Sequence, residues 1–143
     1  ESAAVGFENG DFPDGWSSAG DAPWTIDNAA YEGFHSAKSG NITDSQSTEV
    51  LVTLDVTHAG EISFYRKVSS ESSYDYLEFY VDGELQGQWS GEEDWAKTAY
   101  PVSAGTRTFK WVYRKDYSAG NGSDCAWIDE VVFPAHGGGK RGR

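Results

Sequence analysis

The sequence predicts an all-β protein, a two-sheet antiparallel β-sandwich of jelly-roll type. Aromatic residues make up 15% of the chain, with Trp 6, Tyr 8 and Phe 7 beside Gly 17 and Met 0, a composition suited to pleated, half-buried strands joined by many turns. Short runs of alternating polarity recur at roughly ten-residue spacing, each bounded by turn residues. No stretch carries a helical period. At 143 residues the chain has the size of one domain with a two-layer core. We read residues 1–134 as the sandwich and 135–143 as a Gly-rich basic tail or linker.

The elements follow in order. "AVGFENG" is a first strand ending in an Asn-Gly turn, "PWTIDN" a short second one, and "HSAKSGNI" leads into the polar loop "TDSQS". "TEVLVTLDV" sets Val50, Val52, Leu54 and Val56 on one face, and "ISFYRKV" sets Ile62 and Phe64 against Tyr65 and Lys67. "YDYLEFYVDG" turns Leu77, Phe79 and Val81 inward and closes on Asp82-Gly83, a strong hairpin signal, with "ELQGQW" as the return strand. "SGEEDW" reads as a solvated acidic turn before the strand "AKTAYPV". "RTFKWVYRKD" alternates Phe109, Trp111 and Tyr113 with Lys110, Val112 and Arg114, and "SDCAWIDEVVF" is the final strand.

A formal charge of −12 repels phosphate backbones and anionic bilayers, which argues against nucleic-acid and membrane-surface partners. No run approaches the 18 or so apolar residues of a membrane helix, so no membrane insertion is expected. No signal peptide precedes Glu1, and the chain reads as a mature fragment or an excised module. An acidic surface suits cation binding and extracellular water. The lone Cys125 can form no internal disulfide and reads as a small buried hydrophobe.

Two carboxylates stand out. Asp129 occupies the final strand among apolar neighbours, and Glu8 directly follows Phe7 at the start of the first. A buried carboxylate without a partner costs several kcal/mol. With the first and last strands side by side, Glu8 and Asp129 point at one ion, and carbonyls of the turns in "YEGFHSAKSG" complete an oxygen shell suited to Ca²⁺. The plain alternative is a pair of edge-strand carboxylates in water or in salt bridges to Lys38, Arg66 or Arg107.

The start "GFENGDFPDGW", the central "YEGFHSAKSG" and the terminal "AWIDEVVF" together resemble the calcium-stabilised jelly-roll carbohydrate-binding modules of secreted bacterial polysaccharide-degrading enzymes. They equally resemble the related MAM-like domains of secreted bacterial proteins. The resemblance implies a structural Ca²⁺ held by Glu8, by Asp129 and by carbonyls of the Ser36 to Lys38 segment. It also implies a secreted or extracellular setting, with adjacent domains of a parent protein as neighbours.

Catalysis has little support. No strand carries the closely spaced carboxylates of a glycosidase, and His35, His58 and His136 are scattered without a metal-binding or triad pattern. The chain reads as a non-enzyme. Binding has more support, because sugar rings stack their C–H faces on flat aromatic side chains and offer hydroxyls to neighbouring polar groups. The outward positions Tyr76, Glu78 and Tyr80, with Tyr65, Lys67, Lys110 and Arg114, are expected to form one polar-aromatic platform. Outward tyrosines are also simply good strand formers. The aromatics assigned to loops, Trp16, Trp89, Trp95, Tyr74 and Tyr117, are a second candidate set, while Trp24, Trp111 and Trp127 read as core. The expected function is a non-catalytic carbohydrate-binding module with a polysaccharide partner; the alternative is a MAM-like protein-interaction or spacer domain.

Overall fold

The computed structural model describes residues 4–117 and 122–137, which form strands and loops without a helix. In chain order the strands are β1 (Ser17–Gly20), β2 (Thr25–Asp27), β3 (Ser36–Lys38), β4 (Ser47–Val56), β5 (Gly60–Ser69), β6 (Tyr76–Val81), β7 (Glu84–Trp89), β8 (Glu92–Val102), β9 (Gly105–Arg114), β10 (Cys125–Val132) and β11 (His136–Gly137). They build two antiparallel sheets. The six-stranded sheet runs β1-β4-β9-β6-β7, with β11 also paired to β4, and the five-stranded sheet runs β2-β3-β10-β5-β8. This is the expected sandwich.

The period-2 patterns turn one face of each sheet into the core. Val50, Val52 and Val56 of β4, Leu77 and Phe79 of β6, and Phe109, Trp111 and Tyr113 of β9 come from one sheet. Ile62, Phe64 and Val68 of β5, and Ala126, Ile128 and Val131 of β10 come from the other. The layers meet at Phe64, whose ring lies 4.8 Å from Phe79 and 5.5 Å from Trp111, both edge-on. Such contacts add about 0.5–1.5 kcal/mol per pair beyond area burial. Trp16 stacks on Trp111 at 5.5 Å and 4°, so it closes the rim of the core and is not a ligand-facing loop aromatic. Asp82 and Gly83 take φ of 52° and 85°, the turn expected between β6 and β7.

Three segments depart from the sequence reading. The N-terminal run is no strand: Val5 makes an isolated bridge to Val131, with N–H···O distances of 2.7 and 3.0 Å. Phe7, at φ 60°, then breaks the alternation by turning its ring onto Phe12 and Trp16. The acidic "GEEDW" is not a free turn, because β8 already begins at Glu92. Arg66 and Lys67 of β5 hold Glu93 at 3.1 Å and Asp94 at 3.4 Å across the ladder. His136 and Gly137, expected in the tail, pair with Val56 and Asp55; the rest of the tail, 138–143, lies outside the described residues. No helix among the described residues is long and apolar enough to cross a membrane.

Candidate binding face and carboxylate cluster

A bulge in β10 organises the site. Asp129 pairs with Tyr65 and Val132 with Ser63, so the register slips between them, and Glu130 takes φ 50°. An extra residue of this kind re-aims the side chains around it. Ile128 and Val131 both reach the core, while Trp127 and Asp129 face outward. Asp129 is nevertheless wholly buried, because the loop of residues 31–35 folds over it. Asp129 Oδ2 accepts the N–H groups of Tyr31 and Glu32 at 3.0 and 3.1 Å, and Oδ1 accepts that of Glu130 at 2.8 Å. Burial nevertheless holds the Asp129 carboxyl above the ordinary aspartate value, with the Glu8 charge adding to it.

Glu8 grips the other half of the loop. Its two carboxylate oxygens accept the N–H groups of Phe34 and His35, each at 2.9 Å, and the Phe34 N–H is the main reason its carboxyl lies below the ordinary glutamate value. A Cβ on Gly33 would stand 2.7 Å from this carboxylate, and Gly33 has φ 73°. Only glycine lets the backbone pass so close. Glu130 titrates high through burial first, then through Asp129, Glu32 and Glu8. Among the described residues no Lys, Arg or His ion-pairs with Glu32, Asp129 or Glu130. An open depression of about 390 Å³ lined by Glu8, Asn9, Asp11 and Glu130 adjoins them.

Tyr31 connects this cluster to the outer face of the five-stranded sheet. Its ring, 44% exposed, lies 3.7 Å from that of Tyr65 at 10°, and Trp95 of β8 stands edge-on to it at 6.4 Å. One transverse row of the face carries Thr25, Lys38, Trp127 and Lys67 in register. The next carries Asp129, Tyr65 and Lys97. Trp127, expected in the core, is 7% exposed but lies on this outward side. Lys67 Nζ sits 5.7 Å from its ring, and its indole N–H donates to Asp27 at 2.9 Å. Although burial works the other way, that hydrogen bond, backbone N–H groups and Lys38 hold the Asp27 carboxyl below its ordinary value. Cys125 shares the face, and burial pushes its thiol up to about 11, which keeps it an inert thiol at neutral pH.

The single platform expected from the sequence does not form. Tyr65 and Lys67 belong to β5 in one sheet; Tyr76, Glu78 and Tyr80 of β6 and Arg114 of β9 belong to the other, so the two groups lie on opposite outer faces. Alternation reveals which residues share a side of a strand and is silent on which sheet the strand joins. On the six-stranded face the polar groups satisfy one another. Glu78, 4% exposed, accepts from Arg114 at 2.7 and 3.2 Å and from the Tyr80 hydroxyl at 2.8 Å. Arg114 lies 5.8 Å from the Tyr76 ring and Lys110 5.2 Å from that of Tyr80. Its rings are covered by the protein's own cations.

Other sequence candidates fall in several places. Trp89 points inward from β7, packs on the core and carries the Arg66 guanidinium at 4.7 Å. Trp95 does reach the Tyr31 and Tyr65 face. Ser36 and Lys38 lie in β3, paired with β2 and β10, so their backbone groups serve the sheet ladders, and the Ser36 hydroxyl donates to the Ala29 carbonyl. Tyr74 and Tyr117 are exposed beside a separate acidic group, Glu71, Asp75 and Asp116, whose oxygens lie within 4.8 Å of one another. Lys115 Nζ supplies a cation there, 3.1 Å from Asp75 and 2.7 Å from Asp124. Sequence reading missed Tyr31, Lys97 and Asp27. Tyr31 sits in a loop without period, and only its place beside the carboxylate-binding segment marks it.

No protein-family model and no characterised protein sequence matches the chain. Solved structures do resemble it. The family 61 carbohydrate-binding module TmCBM61, determined with β-1,4-galactotriose, is 17% identical, with 91% of this chain and 94% of that one covered at a TM-score of 0.65. The K1 cleaved adhesin domain of Lys-gingipain from Porphyromonas gingivalis W83 is 15% identical, with 96% and 99% covered at 0.71. A family 22 xylan-binding domain is 15% identical, with 90% of each chain covered at 0.61. The fold is therefore shared at full domain length.

Proposed function

We propose that this chain is a non-catalytic carbohydrate-binding domain of a secreted, multidomain protein and that it holds a polysaccharide on the outer face of the five-stranded sheet. The observation that carries the reading is the half-exposed Tyr31 ring, backed by Tyr65 and flanked by Trp95, with Lys67, Lys97 and Asp94 around it. Stacked and edge-on rings of this kind offer the apolar surface that a sugar C–H face needs, and the charged groups offer partners to its hydroxyls. The opposite face has rings too, but Arg114 and Lys110 already cap them. The fold shared with carbohydrate-binding modules and adhesin domains supports a binding role over catalysis.

A structural Ca²⁺ forms part of this proposal. Glu8, Glu32, Asp129 and Glu130 offer hard oxygens of the kind that ion takes, which the ion would have to draw together, since they do not already converge as those of Glu71, Asp75 and Asp116 do. Burial first and neighbouring negative charge second raise Asp129 and Glu130, and a divalent cation relieves both. The loop turns four N–H groups toward Glu8 and Asp129, so these carboxylates also anchor it unaided. The experiment is calorimetry with a panel of soluble polysaccharides on the intact domain. Binding that Tyr31→Ala and Trp95→Ala weaken, and Tyr76→Ala does not, is expected; absence of binding to every glycan would leave a MAM-like spacer as the better description.

A further inference from the structure

Resting on that reading, we propose that the polysaccharide is anionic, carrying uronate carboxylates or sulfate esters, and that Lys38 and Lys97 recognise these groups. The chain has Asp+Glu 23 against Lys+Arg 11, and most lysines and arginines among the described residues find a carboxylate. Arg66 pairs with Glu93, Lys67 with Asp94, Arg107 with Asp82, Lys110 with Glu49, Arg114 with Glu78, and Lys115 with Asp75 and Asp124. Among the described residues Lys38 and Lys97 make no ion pair and no side-chain hydrogen bond. Lys38 acts on Asp27, but from beyond contact distance.

Both lysines stand on the face that bears the exposed rings. Lys97 is directly opposite Tyr65, and Lys38 directly opposite Trp127. They occupy strands three spacings apart, about 14 Å across the sheet, a span that suits a chain of sugars with repeated charges better than one ring. Lys38 also borders an open depression of about 290 Å³ with Thr25, Ser39 and Asn41, room for a substituent projecting from the sugar. Of the carboxylates on this face, Asp27 is engaged by the Trp127 indole, Asp94 by Lys67 and the Trp95 N–H, and Asp129 by three backbone N–H groups, while Glu32 beside Tyr31 makes no ion pair among the described residues. The net charge of −12 opposes a polyanion, but charges more than about 8 Å from it are largely screened at physiological ionic strength. Recognition then falls to the ammonium groups that touch the ligand, whose hydrogen bonds to carboxylate or sulfate are charge-assisted.

The test compares polygalacturonate, a sulfated galactan, neutral galactan and xylan by calorimetry, with the intact domain and with Lys38→Gln/Lys97→Gln. Tighter binding of a charged polymer than of the neutral ones, lost by about tenfold or more in the double variant, is expected; which charged polymer wins separates carboxylate from sulfate. Neither lysine holds an ion pair, so the variant's melting temperature is expected to stay that of the parent. Equal affinity for neutral and charged polymers, or full affinity in the double variant, overturns this inference while leaving the binding face standing if Tyr31→Ala and Trp95→Ala still weaken binding. Charged-polymer binding insensitive to those two aromatic variants removes the face as well, and no binding to any polymer removes both.

Discussion

The Tyr31 ring lies 3.7 Å from the Tyr65 ring, and the backbone N–H of the same Tyr31 donates to Asp129, the residue directly across the ladder from Tyr65. One loop residue thus sits on both members of a cross-strand pair. The Tyr31 ring is aimed by a buried carboxylate through its backbone and by Tyr65 and Trp95 through its side chain, with 44% of the residue left exposed. Loops that carry function are positioned by a rigid sheet in this way.

Replacing Asp129 by Asn is therefore expected to act at two places. An amide keeps one oxygen where the carboxylate has two, so its NH₂ must face either the Glu130 N–H or the Tyr31 and Glu32 N–H groups and leave that side unmatched, which costs about 1–3 kcal/mol. Urea unfolding measures that loss. Glycan affinity should fall with it, because Tyr31 loses its anchor, whereas Tyr31→Ala should weaken binding with little effect on unfolding. Equal binding by Asp129→Asn and the parent would separate the ring from its anchor.

Added Ca²⁺ should raise the melting temperature and excess chelator should reverse it. An ion bound only by the folded state stabilises by about 2.7 kcal/mol at a hundred times its dissociation constant. The double change Glu8→Gln, Asp129→Asn should erase the response. A melting curve that ignores both calcium and chelator, with no metal found by elemental analysis, would remove the ion from the proposal and leave the carboxylates as loop anchors.

Much of this architecture was legible from residue order. The alternations of β4, β5, β6 and β9 identify the core faces that Val50, Phe64, Phe79 and Trp111 occupy, since burial of one face imposes period 2. Glu8 and Asp129 were marked by charge in apolar surroundings, and both grip one loop. Sheet membership was not legible. Tyr65 and Tyr76 share an outward alternation yet face opposite ways, because the chain changes sheets between β5 and β6. The bulge at Glu130 is equally silent in sequence: it brings Val131, not Glu130 or Val132, to the core. Tyr31 is set by tertiary hydrogen bonds that no local pattern encodes.

Asp82 at the β6–β7 turn gives a pH dependence of definite sign. The Thr108 N–H at 2.9 Å and then the Arg107 guanidinium at 2.8 Å hold its carboxyl below the ordinary value of 3.8. A depressed folded-state pKa gives stability that is full above the unfolded value and is lost as the pH falls through the folded one. The stability gap between the parent and Asp82→Asn should be constant near neutrality and close below pH 3.8. Urea midpoints across an acid series measure it; a gap that widened on acidification would contradict the assignment.

Phe64 is the joint between the layers, with Phe79 and Trp111 edge-on to it. Phe64→Ala should cost about 3–5 kcal/mol through lost burial and the cavity left behind. Phe64→Leu should cost less, because it retains most of the volume. Chemical denaturation with an unchanged slope checks both, and a loss under 1 kcal/mol for the alanine variant would mean that the interior collapses onto the gap.

Glu78 tests whether the six-stranded face is structural. Its carboxylate is almost fully buried and is closed by Arg114 and the Tyr80 hydroxyl, so Glu78→Gln removes a charge that Arg114 needs and puts an amide where a second acceptor stood. The expected cost is about 1–3 kcal/mol in urea unfolding, toward the lower end because the Arg114 side chain is 45% exposed and water compensates it. Glycan affinity should not change, since the face that carries Tyr31, Tyr65 and Trp95 lies across the sandwich. The two readouts discriminate: lost stability with intact binding takes the ligand off the six-stranded face, while lost binding with intact stability would move the site to Tyr76 and Tyr80 and make the Arg114 and Lys110 caps groups that sugar displaces.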